Sequence, residues 1–210
     1  MAALDVISLD EAKQAVNVTG TTEHDTELAL WITAVSQRLD ELVGPVVVRT
    51  ITGEAHDGGR CLVMLAHYPV TSITSVSEYD SGTQVPLTAE TLTTRPAAGY
   101  LADRYEPNPA LLSRFVRRRS NGADAEFAAG RGNVVVSYSA GRFADTASVD
   151  PRFKAAANLM LINLWRSQQS SVGSVGEFDT PMSNFPTFAV PRAVREMLAR
   201  ELQEPIVGIA

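Results

Sequence analysis

The groups through which this sequence could do chemistry are three histidines, one cysteine, a run of arginines and a few carboxylate pairs. A zinc or iron site built from histidine needs ligands at fixed helical or hairpin spacing. His24, His56 and His67 stand in no His-Glu-x-x-His pattern and no other ligand spacing. Exposed or locally hydrogen-bonded histidines are expected, and no metal. Cys61 lies in the apolar run Cys61-Leu62-Val63-Met64-Leu65. A reactive thiol needs a positive neighbour or a base. Strand alternation would turn Arg60 to the opposite face, so a buried structural cysteine is predicted. Gly130-Arg131-Gly132 precedes a strand-like run, whereas a dinucleotide fingerprint follows a strand and opens a helix. Gly173 and Gly176 follow a helix, and no Gly-x-Ser-x-Gly elbow occurs. The pairs Asp10-Glu11 and Asp40-Glu41 fall on helix faces with nothing to bring them to one pocket. No catalytic residue, cofactor site or metal site is therefore predicted, and the chain is expected not to be an enzyme.

One basic cluster remains: Arg114, Arg117, Arg118 and Arg119. Guanidinium groups at this density suit contact with phosphate or with an acidic partner; the plainer alternative is a solvated loop. Asn121-Gly122 just beyond them marks a turn.

The elements that must carry these groups follow from periodicity. Ser8-Leu9-Asp10-Glu11 has the form of a capping box and opens a short helix through Val16. Leu28, Ile32, Val35, Leu39 and Leu42 recur at steps of four and three, which predicts a second helix closed by Gly44-Pro45. From Val46 the pattern is β-branched and alternating. It contains a turn at Asp57-Gly58-Gly59 and a hairpin at Asp80-Ser81-Gly82. Residues 88–133 hold Pro96, Pro107 and Pro109, so short strands and irregular loops are expected. Asn133 to Ala140 alternates again. Asp150-Pro151 places a cap and a first-turn proline at the head of a third long helix. Ser170 to Gly176 has linker composition, and Val190-Pro191 starts a last helix with Val194, Met197, Leu198 and Leu202 on one side.

These elements predict an α+β fold. An N-terminal helix pair and the long third helix form a helical core from residues 1–45 and 150–170. A β-rich subdomain is inserted at 46–149, and residues 171–210 are a linker and C-terminal arm with a terminal helix.

Composition bounds the partners. The net charge of −6 over 210 residues argues against a dedicated phosphate-binding protein. One cysteine builds no internal disulfide framework, which fits a reducing compartment. Met1 to Val6 has no signal-peptide form, and no apolar run approaches the roughly 20 residues of a membrane helix. A protein made in a cytoplasm, with no membrane contact, is expected.

Several motifs in order resemble one family. Leu9-Asp10-Glu11-Ala12-Lys13, the polar spacer His24-Asp25-Thr26-Glu27-Leu28 and the helix Ala34 to Gly44 look like the opening of the tailed-phage head–tail connector proteins, also called adaptor or head-completion proteins. Tyr68-Pro69-Val70 with Ile73 and Val76 resembles a strand of their longer members. Val134 to Gly141 resembles their Val-x-Tyr-x-Ala-Gly strand, and Pro151 to Trp165 their third helix. The resemblance covers roughly residues 8–168 and leaves 88–133 and the tail after Ser170 unmatched.

The resemblance implies a virion protein of the neck, made in the host cytoplasm. It would form a ring, usually twelvefold, beneath the portal protein. The ring would extend the channel through which genomic DNA passes without sequence-specific binding, and would offer a surface to a stopper or tail-terminator protein. Partner choice is expected in the unmatched segments. Arg117, Arg118 and Arg119 are placed at a ring edge. Phe178, Phe185 and Phe188, with Arg192 and Arg195 on the last helix, form either a detachable aromatic and basic arm that docks on the portal or a terminal helix packed on its own core. The alternatives are another neck ring, stopper or tail terminator, and a DNA-binding regulator. The acidic start of the second helix argues against the regulator, because a recognition helix meets DNA there.

Overall fold

The computed structural model describes residues 4–106, 108–169 and 190–203. The chain divides into two compact units. One joins Met1–Val47 to Phe143–Ala210, and the other is Val48–Arg142.

The first unit is helical. Helix α1, Leu9–Ala15, begins with a complete capping box: Glu11 N donates to Ser8 Oγ at 3.2 Å, and Ser8 N donates to Glu11 Oε2 at 2.8 Å. Helix α2, Asp25–Val43, has no side-chain cap. Instead Lys13 Nζ reaches Asp25 Oδ1 at 2.7 Å and ties the end of α1 to the start of α2. The buried stripe of α2 is Leu28, Ile32, Val35, Leu39 and Val43. The last member is Val43 rather than Leu42, because at 3.6 residues per turn the face drifts to the step of four. Gly44, with φ of 75°, ends the helix. The Asp40 carboxylate then takes the Val46 amide at 2.8 Å and redirects the chain.

Helix α3, Pro151–Gln169, is started by Asp150, whose Oδ1 accepts from Arg152 N at 2.8 Å. It buries Phe153, Ala156, Ala157, Met160, Leu161 and Leu164 against α2. Lys154 Nζ to Glu11 Oε1, 2.7 Å, fastens α3 to α1. Helix α4, Arg192–Met197, is short. Val190, Val194 and Leu198 enter the same core, and Gln203 N donates to Leu42 O at 2.8 Å. The C-terminal helix is thus packed on its own unit rather than held as an arm, because its apolar side completes the surface that α2 and α3 leave open.

The second unit is a sheet of eight strands: β1 Arg49–His56, β2 Leu62–Met64, β3 Val70–Asp80, β4 Thr83–Ala89, β5 Gly99–Arg104, β6 Leu112–Ser120, β7 Ala123–Asp124 and β8 Val134–Ala140. The order is β1-β8-β3-β4-β5-β6-β2, with β7 beside β6. A further pairing of β3 with β6, at Val70 and Leu112, closes β3, β4, β5 and β6 into a ring. All pairs are antiparallel except β4 with β5.

Two hairpins rest on residues that accept positive φ. Ser81 and Gly82 (50° and 82°) join β3 to β4, and Asn121 and Gly122 (52° and 85°) join β6 to β7. Tyr138, Phe127, Leu65, Val116, Val134 and Val136 fill the interior. Residues 88–133, expected to hold short strands and irregular loops, carry β5, β6 and β7, the longest of which pairs with β2, β3, β5 and β7.

Candidate functional site

The arginine run lies on β6, a paired strand rather than a solvated loop. Period-two alternation sends Arg117 and Arg119 to one face and Arg118 to the other, and each of these three guanidinium groups meets a carboxylate, while Arg114 lies over the Tyr68 ring. Arg117 Nε is 3.2 Å from Asp103 Oδ2. Arg119 Nε is 3.0 Å from Glu90 Oε2, and its other arm reaches Asp124. The Glu90 hydrogen bond, aided by Asp124, holds the Arg119 guanidinium above its ordinary value.

Arg118 is the most committed of the three. Its Nη2 and Nε bind Glu78 Oε1 at 2.8 and 3.1 Å, and the Glu78 Oε2 accepts from Ala128 N at 2.9 Å. The two side chains are only 11% and 7% exposed. Glu78, held by Arg118, therefore anchors the segment around Ala128 to the sheet. Arg117, 42% exposed, is the member best placed to meet another molecule.

Arg192 and Arg195 belong to the helical unit and lie on the solvent side of α4. Arg192 pairs with Glu196 at 2.6 Å one turn on. Phe178, Phe185 and Phe188, and the Ser/Gly stretch before them, lie outside the described residues.

The remaining candidates resolve into local structure. His24 stands edge-on to Trp165, with ring centroids 5.0 Å apart. His67 donates its amide to the Tyr138 hydroxyl at 3.1 Å. Cys61 is exposed, not buried: it sits in the bend before β2, and the inward positions begin at Val63. No group of histidine, cysteine and carboxylate suited to a metal occurs among the described residues. No described helix is long and apolar enough to cross a membrane.

Sequence reasoning missed a polar network at the β1 side of the sheet. Glu54 Oε2 accepts from the Tyr138 hydroxyl, its Oε1 accepts from Ala66 N at 2.9 Å, and His56 Nε2 lies 2.9 Å from the same Oε1. Burial, then the bond to Glu54, pushes the Tyr138 hydroxyl well above the ordinary tyrosine value. It is a fixed donor at any physiological pH. It also missed the buried Glu78. The signal for that one was present: Glu78 shares strand parity with Val76, so an inward carboxylate demanded an inward cation.

No protein-family model matches the sequence, and no curated protein matches it. Solved structures do. A chain from the neck of an empty GTA particle, computed with C6 symmetry, superposes with a TM-score of 0.55 at 16% identity, over 99% of this chain and 96% of that one. A chain from the virion of a native gene transfer agent (GTA) particle superposes with a TM-score of 0.50 at 16% identity, over 97% and 92%. At this identity the likeness is one of fold, and it runs through both units.

Proposed function

We propose that this chain is a structural subunit of a virion neck, an adaptor ring set between the portal and the tail-side proteins. The observation that carries the reading is the fold shared along nearly the whole chain with a neck chain of a phage-like particle. The ordered connector motifs from Leu9 to Trp165 agree with it. A closed ring repeats one heterologous contact by rotation, so each subunit must present two different surfaces. Two units of different character, one helical and one a sheet, supply chemically distinct surfaces for that purpose. The DNA that crosses such a ring must not be gripped, and a net charge of −6 per copy suits passage.

Arg117 and the exposed Arg192 and Arg195 are the basic residues this reading places toward partners, and Arg118 is assigned to the fold. Deleting the gene from a particle-producing genome tests the function. The expected product is DNA-filled heads and free tails that do not join. Normal tailed particles would refute it, and joined particles that fail only at tail completion would assign the chain to a stopper or terminator ring instead.

A further inference from the structure

Between β1 and β2 runs an open groove of about 640 Å³, with His56, Arg60, Leu62, Met64 and Arg131 in its walls. Both strands are edges of the sheet, and the register fixes which way their peptide groups point. Arg118 N donates to Cys61 O and Leu65 N donates to Arg114 O, so residues 61, 63 and 65 bond to β6. In an antiparallel ladder bonded and non-bonded pairs alternate. Leu62 and Met64 therefore turn their N–H and C=O groups away from β6 and onto the groove.

Strand β1 alternates in the same way. Tyr79 N donates to Asn133 O, which makes these two a bonded pair of β3 and β8. Val134 then faces β1 at His56, and Ala55 turns its peptide groups outward. At the far end the gap between the strands is bridged by a side chain, Glu54 on the Ala66 amide. Arg60 and Arg131 have no carboxylate within ion-pair reach among the described residues. Asp57, also in the wall, is turned to the Gly132 amide at 2.7 Å. Met64 adds an apolar side chain that is 40% exposed.

We propose that this groove is a strand-addition site for an extended, carboxylate-bearing segment of another protein chain. The segment's backbone pairs with Leu62 and Met64 on the β2 edge, an apolar residue lies on Met64, and its carboxylates meet Arg60 and Arg131. Peptide groups of the β2 edge facing the groove select a polypeptide, and the two guanidinium groups, with no carboxylate in reach among the described residues, select an acidic one. The inference goes beyond the neck role and holds for a monomer as well as for a ring.

The test uses the full chain and a blocked heptapeptide alternating valine and glutamate, with the lysine counterpart as control. Residue-resolved amide exchange is followed at millimolar peptide. Only the glutamate peptide is expected to bind, slowing exchange at Leu62 and Met64 about tenfold or more, a factor worth one modest interaction. The double variant R60E/R131E should weaken that binding about tenfold, as two exposed ion pairs together allow, with an unchanged melting temperature. Absence of binding, equal binding of the lysine peptide, or binding that leaves both amides unprotected would overturn the proposal. So would protection of the two amides by self-association before any peptide is added, which would make a second copy the occupant.

Discussion

At Gly58 a missing side chain decides the geometry. A Cβ there would stand 1.8 Å from the Ala128 carbonyl oxygen, and the Gly58 amide already donates to Gly130 O at 2.9 Å and to Asn133 Oδ1 at 3.0 Å. Backbone, not a flexible side chain, occupies the space. Gly58→Ala should lower the unfolding free energy by about 2 kcal/mol or more, measured by denaturant titration. The arginines of β6 separate on the same physical ground. Arg118→Ala strands the buried Glu78 carboxylate and should cost about 3 kcal/mol, while Arg117→Ala, at an exposed pair, should cost under about 1 kcal/mol. If the two variants melt alike, Arg118 is not an anchor. Composition marked these residues as one basic cluster because proximity in sequence carries no sign of which face a side chain takes. Their partners Asp103, Glu78, Glu90 and Asp124 lie 5 to 40 positions away or on other strands.

The helices were legible where local chemistry sets them. The capping box at Ser8, the Asp150-Pro151 start and the Gly44 stop depend on residues within one turn, and each stands where the sequence places it. The hairpins at Ser81-Gly82 and Asn121-Gly122 are equally local. Illegible were β5 and β6, whose pairing is set by contacts distant in sequence, and the seating of α4, whose apolar side has meaning only beside α2 and α3. Ser8→Ala should cost about 1 kcal/mol. Burial alone would raise the Glu11 carboxyl, but Lys154 and the Ser8 backbone and side-chain bonds outweigh it and hold the group below its ordinary 4.5. A carboxyl depressed in the folded state stabilises the fold above its unfolded value, and that contribution is lost as pH falls below 4.5 through the folded value. Unfolding followed between neutral and acid pH should show a loss in this window, and Glu11→Gln should remove part of it. An unchanged pH profile in the variant would show that the α1–α3 tie is idle.

For the whole molecule, the strand block is inserted in the sequence between two helical segments that form one core. The neck reading places the chain in a ring whose subunits close by rotation about a DNA channel. The most direct measurement is electron cryo-microscopy of the purified protein mixed with the portal protein encoded in the same genome. A ring coaxial with the portal is expected, with an open central channel and density for both units in every subunit. A protein that stays monomeric and leaves the portal bare would contradict it.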